Sequence, residues 1–282
     1  MNTDFYIKCP LVFQNGFNWE ACNDNVSIQD TLMIKEMLKR DGLCLFSFDS
    51  TIEHIQIING LANDLGLKEP FISPQNKKFH HSAFNQNVNY IGSSSHRSKH
   101  SVFDRTTGQG LHVDGTFEQI GSVGTTILCC INPATQGGES TFFHATKAFE
   151  LFYKESPKLA TLFLLPDALR RHNYGEEQSQ GSIENIGPAF AYINGKLVTR
   201  FTVDSSSDWE YGFQRIEGLK EAFLAFQQFY SIDSPYVKMV KLKQHQGVIF
   251  LNNIISHGRL SFKNDLHSPR VYCRGLFKEA VV

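Results

Sequence analysis

A histidine and an aspartate separated by one residue, His112 and Asp114, stand in the segment 111–117. On a β-strand, residues i and i+2 point to the same face, so both side chains can reach one metal ion. An imidazole and a carboxylate are two of the three ligands in the two-histidine, one-carboxylate set that holds iron(II) in non-haem oxygenases. Alone the motif is weak, because a chain with eleven histidines also produces it by chance, as part of a capped turn or a buried core.

A second histidine, His257, lies in the polar segment Asn252–Arg259, which follows the apolar run Gly247–Leu251. The run predicts a buried strand, and a histidine just beyond it can offer a third metal ligand from the strand end. The alternative is a histidine in a surface loop, with no ligand role.

Two arginines, Arg270 and Arg274, stand four residues apart in the apolar segment Arg270–Phe277 and therefore share one strand face. A buried arginine is costly unless it is paired, and Asp265 is the one acid within ten residues upstream. A bound dicarboxylate would satisfy this need, since guanidinium binds carboxylate through two parallel hydrogen bonds. The alternative is a pair of exposed arginines in a salt-bridge network.

The elements before these motifs are a predicted helix, strand and helix, over Ile28–Lys39, Leu43–Phe48 and Ser50 to about Leu65. Ser27 is a candidate N-cap for the first helix, and Ser50 with Glu53 forms a possible capping box for the second. Residues 84–111 are rich in Asn, Ser, Gly and charge, and they predict a long loop that covers a site.

The rest of the chain predicts short strands with few helices. The strands are Val123–Ile131, Ala189–Ile193, Lys196–Val203, Val237–Leu242, Gly247–Leu251 and Arg270–Phe277, and the helices are Ala145–Tyr153 and Glu217–Tyr230. Asn194-Gly195 between two of the strands is a strong hairpin signal. The pattern predicts one domain over residues 1–282, mainly β with flanking helices, as a β-sandwich or jelly roll.

Composition narrows the class of protein. The net charge is −1, with no basic surplus of the kind that nucleic acid requires. The N-terminus does not resemble a signal peptide, and no apolar run approaches the ~20 residues that cross a bilayer, so we expect a cytoplasmic protein without membrane contact. The six cysteines contain no CxxC pair and are interpreted as free thiols.

Together these motifs resemble the taurine/2-oxoglutarate dioxygenase superfamily. The resemblance runs from about residue 111 to 277 and rests on four pieces in order: His112-Val-Asp114-Gly-Thr-Phe, Pro133-Ala-Thr-Gln-Gly-Gly-Glu-Ser140, His257-Gly-Arg259, and Arg270 with Arg274. Asn252-Asn253 departs from the Asp-Asn that many relatives carry.

The resemblance implies a double-stranded β-helix, a cupin-like jelly roll, that holds Fe(II) through His112, Asp114 and His257. It implies that 2-oxoglutarate is the co-substrate with O2, that Arg270 binds its distal carboxylate, and that Ser140, or Thr141 beside it, assists. Arg274 matches a position that holds an anionic group of the substrate in several relatives.

The implied function is oxidation of an unactivated C–H bond of a small anionic metabolite, an amino acid or a derivative. Hydroxylation is the default, cyclisation and desaturation stay open, and the carboxylate of Asp114 argues against halogenation. Tyr90 and Arg200 are further candidate substrate contacts, and the oligomeric state stays open. The alternatives are an oxygenase of this class that acts on protein or nucleic acid, and a non-catalytic β-barrel binding protein.

Overall fold

The computed structural model describes residues 18–19, 28–48, 53–72, 84–85, 88–92, 106–115, 117–172, 184–265 and 267–281. The helices in these ranges are α1 (Ile28–Asp41), α2 (His54–Asp64), α3 (Ala145–Glu155), α4 (Pro157–Leu162), α5 (Glu210–Phe213) and α6 (Leu219–Tyr230). None of these helices is both long and apolar enough to span a membrane.

The strands in the same ranges outnumber the helices, which confirms a mainly β protein with flanking helices. They are β1 (Asn18–Trp19), β2 (Leu43–Phe48), β3 (Phe84–Asn85), β4 (Val88–Ile91), β5 (Gln109–His112), β6 (Thr125–Asn132), β7 (Gln136–Gly137), β8 (Ser140–His144), β9 (Leu169–His172), β10 (Glu184–Gly187), β11 (Phe190–Ile193), β12 (Lys196–Thr199), β13 (Ser207–Asp208), β14 (Val237–Val240), β15 (Gln246–Leu251), β16 (Ile255–Arg259), β17 (Phe262–Lys263) and β18 (Val271–Phe277).

The larger sheet has seven strands in the order β1-β2-β15-β6-β18-β4-β3. One of its faces packs on α1 and α2 through Ile34, Leu38 and Leu61. Strands β2 and β15 are covered on both faces, which explains why each reads as a continuous apolar run. The neighbours Cys129 and Cys130 confirm the two-sided burial, since the first packs on the helix side and the second in the opposite layer.

The smaller sheet has four strands in the order β14-β8-β16-β5. Its inner face, defined here as the face toward the larger sheet, packs on that sheet through Phe142, Val240 and Ile255. The rings of Phe142 and Phe250 meet across this layer with their centroids 5.4 Å apart. Because β5 and β16 are neighbours in this sheet, the segments that carry the two predicted histidine ligands lie side by side.

An aromatic layer covers the outer face of the smaller sheet. Phe143 of β8 contacts Phe201, Phe226 and Tyr230, and the cluster continues through α3, α4 and α6. Much of the unusual phenylalanine content, 24 residues, is used here. Burial of each such ring contributes roughly 1.5–3 kcal/mol to the free energy of folding. This layer therefore stabilises β8, and the neighbouring β16, on the outer face of the sheet.

The predicted hairpin is confirmed. Strands β11 and β12 pair antiparallel around Asn194 and Gly195, whose φ angles of 51° and 76° are those of a two-residue turn with both residues left-handed.

The loop predicted over residues 84–111 is partly wrong. The segment contains β3, β4 and most of β5, and β4 pairs with β18 near the edge of the larger sheet. Its polar residue Asn89 is buried, so the strand lacks the apolar alternation by which a sequence reveals a strand. Residues 93–105 lie outside the described residues, and a covering role for them stays a prediction.

The helix caps are the other difference. The predicted capping box is wrong, since Glu53 is itself the N-cap of α2 and makes no side-chain capping hydrogen bond. Ser27 and Ser50 lie outside the described residues.

Candidate metal centre

Three predicted ligands, His112, Asp114 and His257, lie together beside the inner layer. One ligand atom from each lies within 4.8 Å of the other two. The imidazole rings have their centroids 4.3 Å apart, and Nε2 of His257 is 3.6 Å from Oδ2 of Asp114. Two imidazoles and one carboxylate at this spacing form a group that can hold a metal ion, with the donor set that iron(II) oxygenases use.

Strand pairing explains the meeting of the two histidines. His112 is the last residue of β5, and it pairs directly with His257 in the antiparallel register of β5 and β16. The expectation that His257 stands at a strand end is wrong, because it is the central residue of β16. Strand β16 presents polar residues to the metal group, so its sequence lacks the alternating apolar pattern that indicates a strand.

Asn252 holds the main chain of the aspartate ligand. Its side-chain Oδ1 accepts from the Asp114 N–H at 2.8 Å, and its Nδ2 donates to the carbonyls of Asp114 at 3.3 Å and Val123 at 3.1 Å. The residue is buried and follows directly on β15. The sequence motifs gave Asn252 no role, although a polar residue directly after a buried strand was a signal that its side chain has a buried partner.

The carboxylate of Asp114 is held at both oxygens. Arg274 donates from Nη1 to Oδ1 at 2.6 Å, and Thr126 donates from Oγ1 to Oδ2 at 3.3 Å. Burial alone would raise the pKa of the Asp114 carboxyl, but Arg274 and the two histidines hold it below its ordinary value. The group is therefore ionised at neutral pH, the form in which a carboxylate can bind a metal ion.

The imidazole of His257 is in the neutral form that can bind a metal ion. Burial, reinforced by the nearby His112, lowers the pKa of His257 to about 3. The ring is therefore neutral at physiological pH, which is the form that ligates metals. It packs against Phe250 with centroids 4.7 Å apart, and this contact fixes its orientation.

Arg270 is a buried cation in aromatic surroundings. Its Cζ lies 3.8 Å from the ring centroid of Tyr272 and 5.2 Å from that of Phe262. Burial lowers the pKa of Arg270, its Nε has no hydrogen-bond partner, and no acid among the described residues forms a salt bridge with it. The predicted need for an anionic partner is thus met by Asp114 for Arg274, whereas Arg270 is left with a donor that fits a bound carboxylate.

The Gly-Gly turn at residues 137–138 packs directly on this arginine. Both glycines have φ near +70°, and a Cβ at Gly138 would lie 3.5 Å from Nε of Arg270 and 3.2 Å from Cβ of Phe262. This turn, part of the Pro133–Ser140 piece of the family resemblance, thus forms one wall of the Arg270 site.

Ser140 and Thr141 point to opposite faces of β8. Phe142 is in the inner layer and Phe143 in the outer aromatic layer, so alternation puts Ser140 on the inner face and Thr141 on the outer one. Ser140 is buried and pairs with Arg259, a second inner-face arginine that sequence reasoning left without a role. Of the two assistants to Arg270 considered from the sequence, the structure favours Ser140.

Tyr90 and Arg200, the two further candidate substrate contacts, have different surroundings. Tyr90 packs against the helix-side core, and its neighbour Asn89 is the residue of β4 that faces the site, where its Oδ1 accepts from Arg274 at 3.2 Å. Arg200 is buried and donates to Asn185 and to the Leu169 carbonyl. It lines a small cavity behind the 115–123 turn, which Asp114 also lines.

Comparison with known proteins gives three results. The family described as taurine catabolism dioxygenase TauD, TfdA family matches residues 12–276. A uridine-5′-phosphate dioxygenase of an Amycolatopsis species is 34% identical over 184 residues, which are 64% of this chain and 65% of that protein. A uridine-5′-phosphate dioxygenase of a Streptomyces species is 30% identical over 265 residues, 91% of this chain and 92% of that protein.

Solved structures share the fold at low sequence identity. An asparagine oxygenase in complex with Fe(II), 3-hydroxyasparagine and succinate has a TM-score of 0.65 at 14% identity, over 89% of this chain and 78% of that one. A non-haem iron oxygenase in complex with Fe and α-ketoglutaric acid has a TM-score of 0.63 at 14% identity, over 89% and 79%.

Proposed function

We propose a function on the premise that this chain belongs to the TauD, TfdA family of dioxygenases, whose profile matches residues 12–276. It is therefore an enzyme of the iron(II)- and 2-oxoglutarate-dependent class. The proposed reaction is oxidation of a C–H bond of a small anionic substrate, carried out by a single catalytic domain. The two facing sheets are inferred to form the double-stranded β-helix, or jelly roll, of this family.

One observation carries the proposal. The chain combines the group of His112, Asp114 and His257 with the buried guanidinium of Arg270, whose Nε has no hydrogen-bond partner among the described residues. A metal-ligand group alone fits many proteins, and a buried arginine alone fits a structural role. The two together fit a metal ion and a dicarboxylate co-substrate, because the three ligands can hold the ion and the guanidinium can bind a carboxylate of the co-substrate.

Different residues of the chain would hold the metal ion, orient its ligands and exclude water. His112, Asp114 and His257 would hold iron(II), which with 2-oxoglutarate and dioxygen supplies the oxidising chemistry when bound. Arg274 occupies Oδ1 of Asp114, so Oδ2, which faces His257, is the oxygen offered to the ion. Phe142 and Phe250 exclude water from the inner side of the group.

Arg270 and Ser140 would bind the distal carboxylate of 2-oxoglutarate. A guanidinium binds a carboxylate through charge-assisted hydrogen bonds, and stacking on Tyr272 fixes its plane. Ser140 adds a hydroxyl on the same inner face. Thr141 is not retained, because its side chain points into the outer layer.

Uridine 5′-phosphate is the first candidate substrate. Both curated relatives carry this substrate in their names, and one of them matches nearly full length. The nucleotide is small and anionic, as expected from the Arg274 position. Arg274 touches Asp114 and therefore lies within reach of whatever binds beside the metal.

The test is succinate formation with iron(II), 2-oxoglutarate and oxygen in the presence of uridine 5′-phosphate, uridine or asparagine. We expect the nucleotide to stimulate succinate release well above uridine, because uridine lacks the phosphate charge. His257→Ala should abolish the signal, whereas Asp208→Asn, at an acid paired with Arg170, should leave it intact. Equal stimulation by uridine and its phosphate would contradict phosphate recognition.

An amino acid or a derivative is the second candidate substrate, supported by the fold shared with asparagine oxygenase. Stimulation by asparagine but not by the nucleotide would favour it. Hydroxylation, desaturation and cyclisation differ in product mass, so mass spectrometry of the product distinguishes them.

A further inference from the structure

We propose that Asp204 is a positioning residue for the metal centre, which holds the His112 imidazole with its proton on Nδ1 and so presents Nε2 to the metal. The inference rests on the proposed role of His112 as a ligand. Asp204 stands in the 200–208 segment after the β12 strand, where the sequence showed no motif.

The contacts of His112 define its tautomer. Nδ1 lies 3.1 Å from the carbonyl of Gly110, which accepts its hydrogen bond. Oδ2 of Asp204 lies 3.8 Å from Nδ1, beyond hydrogen-bond distance, and its negative charge favours the proton on that nitrogen. Nε2 lies 3.2 Å from the amide nitrogen of Gln109, which is a donor. A ring nitrogen that faces an acceptor and a nearby negative charge carries the proton, and one that faces a donor keeps its lone pair. The lone pair is therefore on Nε2, where a metal ion would accept it.

Asp204 is itself held in place. Its Oδ1 accepts from the Ser206 N–H at 2.9 Å and from Ser206 Oγ at 2.6 Å, and its side chain is 9% exposed. These bonds aim Oδ2 toward the His112 ring. The same amide of Gln109 that faces Nε2 lies 3.5 Å from Oδ2 and adds a weak contact.

The backbone brings this carboxylate to the ligand strand. The N–H of Val203 donates to the carbonyl of Leu111 at 2.7 Å, which places the segment alongside β5 one residue before His112. A Cβ at Gly110 would lie 2.6 Å from the carbonyl oxygen of Val203, so a glycine is needed for this approach.

A buried arginine ties the same segment to the metal-binding turn. Arg171 donates from Nη1 to the carbonyl of Val113, the residue between the two ligands, and from Nη2 to Ser206 Oγ. The distances are 3.2 Å and 3.3 Å. Asp204 therefore belongs to a frame that includes the main chain of the ligands, as expected for an outer-shell carboxylate that orients a metal-binding histidine.

The test compares Asp204→Asn with Asp208→Asn, a matched change four residues along whose partner is Arg170. Anaerobic iron(II) titration should show a roughly 10- to 100-fold weaker affinity for Asp204→Asn, the usual cost of losing such a partner, and no change for Asp208→Asn. Equal affinity for wild type and Asp204→Asn would overturn the inference while leaving the proposed function intact. Failure of the wild-type protein to bind iron(II) would overturn both.

A second readout addresses the tautomer in the metal-free protein. The ¹⁵N shifts of histidine-labelled protein, with His112 assigned by its loss in His112→Gln, should show a protonated Nδ1 and a bare Nε2. The population of the other tautomer should rise in Asp204→Asn, which purely structural damage would not cause. A wild-type His112 protonated on Nε2 would overturn the inference whatever the affinities.

Discussion

At the residue scale, the site depends on side chains that hold the main chain and the carboxylate of Asp114 in place. Asn252 satisfies three main-chain groups around Asp114, and Arg274 takes one oxygen of the same carboxylate. Buried polar groups of this kind are costly to leave unpaired, so each contact contributes to stability and to ligand geometry together.

Replacement of Asn252 by alanine tests this coupling. It leaves the Asp114 N–H and the Val123 carbonyl without their partner, and we expect the free energy of unfolding to fall by roughly 1–3 kcal/mol. Asn253→Ala is the matched control, since the buried Oδ1 of Asn253 has no hydrogen-bond partner among the described residues. Denaturant unfolding of both variants measures the difference. Equal losses of unfolding free energy would contradict the role of Asn252 in holding the main chain around Asp114.

At the element scale, the smaller sheet is held between two apolar layers, and its strand β8 runs directly into α3 through His144. His144 is buried, and its side chain accepts from the Lys147 N–H as the N-cap of the helix. Burial, with Lys147 nearby, lowers the pKa of His144 to about 3. His144 therefore has a structural role at the start of the helix.

The low pKa predicts how stability changes with pH. An unfolded histidine titrates near 6.5, so between pH 6.5 and 3 the unfolded chain binds a proton at His144 that the folded chain does not. Stability of the metal-free protein should therefore fall as pH falls through this window, with up to roughly 1.4 kcal/mol per pH unit from this group. His144→Asn keeps a capping acceptor and should give a shallower slope in denaturant unfolding at pH 6, 5 and 4. An unchanged slope would show that His144 does not carry the effect.

The elements also show where sequence reasoning stops. Strands covered on both faces, such as β2 and β15, and the Asn194-Gly195 hairpin were predictable because apolar runs and turn residues act locally. Strands β4, β5 and β16 were missed or displaced, since their inward residues are polar and their stability comes from paired strands far along the chain.

At the scale of the whole molecule, the order of the motifs predicted that His112, Asp114 and His257 lie together, because one family arrangement links them with the two arginines. Asn252 and Arg259 stand in or beside pieces of the family resemblance, but their contacts join segments distant in sequence, so the sequence did not show what they touch. Asp204 also depends on such a contact and belongs to no motif. Tyr90 was a candidate from the sequence, but its side chain packs on the helix-side core. The side chain of its neighbour Asn89 lies on the other face of β4, near the metal group.

The central claim is that His112, Asp114 and His257 hold iron(II) while Arg270 binds 2-oxoglutarate. The most direct measurement is the visible spectrum of the anaerobic protein with iron(II) during titration with 2-oxoglutarate, because chelation of the keto acid by iron(II) produces a weak charge-transfer band. We predict that the band appears in the wild type and that Arg270→Ala needs roughly 10- to 150-fold more 2-oxoglutarate, the loss of ~1.5–3 kcal/mol from hydrogen bonds to a charged group. Arg215→Ala, at an exposed arginine stacked on Tyr211, should titrate like the wild type. No band in the wild type, or an equal titration of Arg270→Ala, would contradict the account.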